Sequence, residues 1–381
     1  MSTTHDLTDD RIYKKEAVTL SKNGCKVIHI GYGNKLADYI TDENIRIIEI
    51  PKKRKGETVT SIYKALKQTK LTDLFQKAKE IKADVYHLHD MELCRIALKL
   101  KKLPWQPKVI YDAHEPFFEN LKDYWKERSL FKVFFNDIPS ILAEKRILKK
   151  VDYLIATEEN VASRFRKKNK KTAIIYNYSY FYPEDISVPA EQKEYDAIYC
   201  GSISEAKGIL LIIDSLIESK KRGFNLKYVI VGGLNNDELK KRVEKKIQEN
   251  NISENIVFTG HLSIDRINSY YKKSKVAFCL FPLNNTNQLI LPIKLFEYAA
   301  FGLPIIGSNF GHIKEVIETN NFGVCVNPHD AKEVTSAIIQ LITDNNYATY
   351  YNDLVNKVKN NYLWKNQEEN LLSIYESIIN G

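Results

Sequence analysis

The chain has 381 residues, of which 44% are hydrophobic and 28% charged, and its formal net charge is +9. That length allows two domains with full cores, and the composition is that of a globular protein, not a disordered or fibrous one. No run of about 18 apolar residues spans a membrane and no apolar signal core opens the chain. The five scattered cysteines, without a C-x-x-C pair, exclude a disulfide or zinc framework and fit a reducing cytosol.

Residues 10–22 are predicted to be a helix with Ile12, Tyr13, Ala17 and Leu20 on one face, ended by Asn23-Gly24. Continuous apolar strands are expected at 26–30, 45–50, 84–88, 108–112, 153–156 and 173–176, with helices at 59–81 and 129–149 among them. Residues 178–194 carry two prolines and several acids and read as a linker. A second series of strands follows at 196–200, 227–231, 255–259, 276–280, 304–307 and 324–327, alternating with helices, and two helices close the chain at about 346–360 and 366–380. Apolar strands alternating with helices predict an α/β protein with parallel sheets covered on both faces.

Charge is uneven. Residues 1–190 hold 36 Lys+Arg against 26 Asp+Glu, whereas the remainder holds 21 against 22. A basic half invites nucleic acid, anionic lipid or a phosphorylated substrate. The basic runs at 52–55 and 164–171 lack an aromatic platform or a recognised binding motif, so no nucleic acid is expected. Tyr124-Trp125-Lys126 and the aromatic-basic segment 131–135 fit an anionic membrane surface. The expected place is cytoplasmic, with a peripheral position at the inner face of the membrane as an option.

The most informative segment is 288–308, Q-L-I-L-P-I-K-L-F-E-Y-A-A-F-G-L-P-I-I-G-S. Pro292 suits a first helical turn, Leu295, Phe296, Ala299 and Ala300 repeat at helical spacing, and Gly302 stops the helix. Lys294 adds charge to a helix N-terminus that already favours phosphate, and Glu297 is placed to accept from ribose hydroxyls. Cys200-Gly201-Ser202-Ile203-Ser204-Glu205-Ala206-Lys207-Gly208 follows a strand and opens a helix. Its small residues let a diphosphate approach the backbone, and Lys207 supplies a charge-assisted contact. Neither the Walker spacing nor G-x-G-x-x-G is present.

In the first half, Tyr111-Asp112-Ala113-His114-Glu115-Pro116 ends a buried strand, where ligands bind in parallel sheets. His87 and His89 share a strand face beside Asp90, a pattern that can hold a metal, but no third ligand at convincing spacing accompanies them. With no D-x-D triplet either, no metal and no cofactor are expected.

Together these residues resemble the retaining GT-B glycosyltransferases of family 4 over nearly the whole chain. The matching pieces are T-D-D-R-I-Y-K-K-E-A-V-T-L-S-K-N-G, D-V-Y-H-L-H-D, V-I-Y-D-A-H-E, G-S-I-S-E-A-K-G, F-T-G and P-I-K-L-F-E-Y-A-A-F-G-L-P-I-I-G-S, followed by a helix beginning near Trp364. The resemblance implies two Rossmann-like domains facing a cleft, at 1–178 and 195–362, joined by 179–194. A final helix at 363–381 returns to the first domain. It implies transfer of a sugar from a nucleotide-diphosphate sugar to a saccharide or lipid-linked acceptor, with retention, in cell-surface polysaccharide synthesis. The alternative is a non-catalytic partner of another transferase with the same fold. By analogy, His114, Lys207 and Glu297 are catalytic, and Gly201, Ser202, Asn287, Lys294 and Leu295 bind the donor. Asp10, Arg11, Asp90 and Glu115 lie at the acceptor or first loop.

The chain departs from the family where Leu289 replaces an earlier glutamate and Ser202 replaces an arginine. The resembled fold also opens with a buried strand, yet only nine residues precede the helix at Asp10. Strands 26–30 and 84–88 are therefore expected to lack a partner between them. An upstream translation start is the expectation, with residues 1–4 as a stunted strand the alternative.

Overall fold

The computed structural model describes residues 7–51, 62–114, 138–180, 193–284, 287–343 and 347–380. The chain divides into two compact units, Met1–Asn177 with Trp364–Gly381, and Tyr178–Leu363. Among the described residues no helix is long and apolar enough to cross a membrane.

The first unit opens with α1, which runs as wide π-type turns over Asp10–Ala17 and continues over Val18–Lys22. Asp9 caps it, its Oδ1 accepting from the N–H of Arg11 at 2.9 Å and of Ile12 at 3.0 Å. Two separate sheets follow. β1 (Ile28–Gly33), β2 (Ala37–Ile40) and β3 (Arg46–Pro51) are ordered β1-β3-β2, with β2 antiparallel to β3. After α2 (Ile62–Ile81) come β4 (Val85–His89), α3 (Asp90–Leu100), β5 (Lys108–Ala113), α4 (Ile138–Leu148), β6 (Tyr153–Ala156), α5 (Glu159–Arg166) and β7 (Thr172–Ile174). These four strands form a parallel sheet in chain order.

Among the described residues no strand stands between β1 and β4. A cavity of about 490 Å³ is lined by Val27, Ile28 and Ile30 from one side and by Val85, Tyr86 and Leu88 from the other.

The second unit is one unbroken parallel sheet, ordered β10-β9-β8-β11-β12-β13. Its elements are β8 (Tyr195–Cys200), α6 (Ile209–Lys221), β9 (Tyr228–Val231), α7 (Asp237–Glu249), β10 (Ile256–Gly260), α8 (Ile264–Lys272), β11 (Ser274–Cys279), α9 (Ile293–Ala300), β12 (Ile305–Ser308), α10 (Gly311–Asn320), β13 (Gly323–Val326), α11 (Ala331–Thr343) and α12 (Tyr347–Asn361). The inner strands are mostly apolar because helices cover both faces: Ile198, Val229, Val276, Ala277 and Ile306 are wholly buried. The chain winds outward from β8 to β10, then returns to β8's other side with β11. That reversal is a topological switch point, and ligands of open parallel sheets bind just beyond the strand ends there.

The closing helix α13 (Lys365–Ile379) belongs to the first unit, where it buries Leu371, Ile374, Tyr375 and Ile378. The α/β class and the parallel sheets agree with the sequence reading. The antiparallel β2 was not expected: its residues are mostly exposed, so no apolar run marks it, and Arg46 holds it through two bonds to Asp38 at 2.8 and 2.7 Å.

Candidate active site

Beyond the carboxyl end of β8 the backbone turns sharply. Gly201 has φ +146° and Gly208 φ +74°, values that L side chains rarely adopt. Between them Glu205–Lys207 makes one 3₁₀ turn, and Gly208 starts α6. Packing also demands glycine at 232, because a Cβ there would stand 1.9 Å from Gly201 O. Tyr298 clamps the strand end, its hydroxyl 3.0 Å from Cys200 N and 3.4 Å from Cys200 O. Lys207 Nζ donates to Ser202 Oγ at 2.8 Å, so the loop lysine is folded back over its own small residues.

The second component is α9, which follows Pro292. Its apolar face is buried through Leu295, Phe296, Tyr298, Ala299 and Ala300, with Phe296 stacked on Tyr362 at 5.1 Å between centroids. The polar first turn points the other way. Lys294 Nζ donates to Glu297 Oε2 at 2.6 Å, and the Tyr271 hydroxyl donates to the same oxygen at 3.1 Å. Burial, then the neighbouring Glu297, pushes the Tyr271 phenol well above its ordinary range, so it stays a donor. Lys294 Nζ also lies 3.8 Å from Cys200 Sγ, and its Cε is 3.9 Å from where a Gly201 Cβ would stand. The loop after β8 and the start of α9 thus meet at Gly201, at the switch point.

Two of the expected donor residues have other work. Leu295 is wholly buried and its N–H bonds to Pro292 O, so its side chain belongs to the core. Asn287 is also buried and donates from Nδ2 to Pro282 O at 2.7 Å, fastening the loop after β11.

Residues 183–360 match the family described as "Glycosyl transferases group 1". Residues 183–360 are thus similar to the group 1 glycosyl transferases. An uncharacterised glycosyltransferase of Methanocaldococcus jannaschii is 22% identical over 239 residues, 58% of this chain and 57% of that protein. The chain thus spans little more than half the length of that relative. Among solved structures, the sucrose-phosphate synthase of Thermosynechococcus elongatus aligns with a TM-score of 0.71 at 18% identity, covering 95% of this chain and 91% of that one. The Anabaena HepE protein in complex with UDP and glucose aligns at 0.70 and 13% identity, covering 95% and 94%. The fold of the chain is the GT-B fold of these structures.

In the first unit the expected residues divide differently. Asp10 is exposed at the start of α1 and pairs with Lys14 at 2.7 Å. Arg11, one position on, is buried. Its Nε lies 3.0 Å from Glu16 Oε1, its Nη2 3.1 Å from Asp112 Oδ2, and its Nη1 donates to Ile175 O at 2.8 Å. Arg11 therefore ties α1 to the sheet. Asp90 opens α3 just after β4, and Glu115 lies outside the described residues, as do 52–55 and 122–135.

His114 follows β5, and its Nε2 is 2.9 Å from Nδ1 of His89. Sequence reasoning missed what surrounds the histidine pair. His87 and His89 stack at 4.3 Å between centroids, and Glu16 from α1 and Asp112 from β5 close on them. Burial pushes the Glu16 carboxyl well above the usual carboxylate range. It works against the Asp112 charge too, but Arg11 and His87 beside it hold that carboxyl well below. Burial also lowers both histidines. The available signal was the parallel neighbourhood of strands 84–88 and 108–112, whose register sets His89 opposite Asp112.

Proposed function

We propose that the chain transfers a sugar from a nucleoside diphosphate sugar to a saccharide or lipid-linked acceptor, with retention, in the synthesis of cell-surface polysaccharide. One observation carries this reading: Lys207 on the phosphate loop and the Lys294–Glu297 pair of α9 converge on Gly201 beyond β8. Lys207, Lys294 and the positive end of α9 make a preorganised field for a departing diphosphate, the kind of term that often dominates catalysis. The Lys294 ammonium and Glu297 satisfy each other in the free protein, and ribose hydroxyls compete for the same carboxylate. The acceptor attacks the face that the diphosphate leaves, and a leaving phosphate oxygen takes its proton. No side-chain nucleophile is required. We assign His114 to the transferred sugar and Asp10 to the acceptor side. Transfer needs no divalent cation at the diphosphate, and anionic lipid draws on the basic residues of the first half.

UDP appears with HepE, which makes uridine diphosphate sugars the first donors to try. A panel of nucleotide sugars is screened by thermal shift and then by turnover on the purified chain. The right donor at a hundred times its dissociation constant stabilises the fold by about 2.7 kcal/mol. A panel that shifts nothing and is neither hydrolysed nor transferred removes the reading. A chelator added to the working assay is expected to leave the rate unchanged at a constant melting temperature; a loss restored by magnesium or manganese would rule out metal independence.

A further inference from the structure

We propose that Glu16, His87, His89 and Asp112 form a binding site for one divalent transition-metal ion of the zinc type, buried in the first unit. Each of the four residues offers a ligand atom, and these atoms lie within 4.8 Å of one another. His87 Nε2 is 3.4 Å from Asp112 Oδ2 and 3.8 Å from Glu16 Oε2, and His89 Nε2 is 3.8 Å from the same Glu16 oxygen. Ligands about 2.0–2.1 Å from a tetrahedral zinc ion stand roughly 3.4 Å apart. The spacings are therefore close to those of a coordination shell, and the two at 3.8 Å are too long for hydrogen bonds.

The pattern of satisfied and unsatisfied atoms points the same way. Glu16 Oε2, His87 Nε2 and His89 Nε2 are buried without a hydrogen-bond partner among the described residues. A buried polar atom left so costs about 1–3 kcal/mol, and here three face one another. The opposite ring nitrogens are held: His87 Nδ1 is 2.9 Å from the Tyr375 hydroxyl, and His89 Nδ1 is 2.9 Å from His114 Nε2. A ring fixed through one nitrogen with the other pointing at carboxylates is how metal-binding histidines are oriented. Arg11 takes Glu16 Oε1 from outside and also contacts Asp112. With both carboxylates ionised around the metal, they and one guanidinium leave one negative charge among neutral imidazoles, which a divalent ion more than offsets. Two imidazoles with two carboxylates suit zinc and its first-row neighbours better than magnesium or calcium. The competing occupant is a proton shared among the same groups.

This inference does not rest on the donor reading. Full-length protein is produced with zinc, supplied both to the native chain and during refolding because the ligands are buried. It is then passed through a chelating resin and its zinc content measured by mass spectrometry. We expect one zinc per chain, and with cobalt in its place a visible absorption band. His89→Ala and Glu16→Gln are expected to lose the ion. Tyr375→Phe, which removes the hydroxyl bonded to His87 Nδ1, weakens apparent affinity about tenfold. The exposed His261→Ala leaves it unchanged. Zinc content near zero in the wild type, or equal content in His89→Ala and Glu16→Gln, overturns the site and leaves a proton-sharing cluster or surface binding. If His89→Ala fails to fold, the near-isosteric Glu16→Gln and Tyr375→Phe decide.

Discussion

The second unit carries its described strands in one ladder, β10-β9-β8-β11-β12-β13, whereas among the described residues the first divides seven strands into sheets of three and four beside a cavity of about 490 Å³. The two also place their charges differently. In the second unit, Lys207 and Lys294 sit at a strand end, partly exposed, on protein partners that a ligand can replace. In the first, Arg11, Glu16 and Asp112 are wholly or almost wholly buried and form ion pairs within α1 and between α1 and β5. An exposed cation at a helix start is cheap to hold and free to change partner, while a buried pair is costly to break. On the proposed function, the same residue types serve ligand binding in one unit and cohesion in the other.

The largest expected effect lies in the buried cluster. Asp112→Ala leaves the Arg11 guanidinium without its main partner, and we expect a loss of about 3–5 kcal/mol in chemical denaturation. A loss under about 1 kcal/mol would show that Glu16 and Ile175 O suffice for Arg11 and would erase the contrast between the units.

Lys207→Ala should divide the two roles from the other side. Turnover is expected to fall about 10²–10³-fold, with stability unchanged within about 0.5 kcal/mol because the side chain is not in the core. Near-normal turnover would contradict the assignment, and a large drop in melting temperature would make Lys207 structural.

The last effect concerns pH. His29 on β1 is wholly buried, and burial lowers its pKa to about 3. The unfolded chain takes up this proton first, near pH 6.5. The unfolded state thus binds more protons between about pH 6.5 and 3, and stability falls as pH drops through that window. His29→Leu should flatten part of this acid limb in urea titrations at several pH values. An unchanged slope would mean that the first sheet's interior is wetter than its burial indicates.

Much was legible in the sequence because the chemistry is contiguous. Glycines 201 and 208 with Lys207, and Lys294 with Glu297, lie within short segments whose local geometry follows from strand, turn and helix signals. The strands were legible for the same reason: continuous apolar runs mark them within a few residues, as at Tyr228–Val231 and Tyr153–Ala156. β2 left no such mark, since a strand paired on an exposed edge buries little.

The sequence by itself determined the α/β class, the alternation of elements and the positions of the loop lysine and the helix glutamate, because hydrophobic periodicity and turn residues act over a few positions. The tertiary structure alone decided that α1 would bring Glu16, and β5 would bring Asp112, onto the histidines of β4. It also turned Arg11 inward while Asp10 stayed exposed, and sent Leu295 and Asn287 to packing. Those outcomes depend on strand register and helix rotation. Register and rotation are fixed by the burial of many distant side chains at once, which no short stretch of the sequence contains.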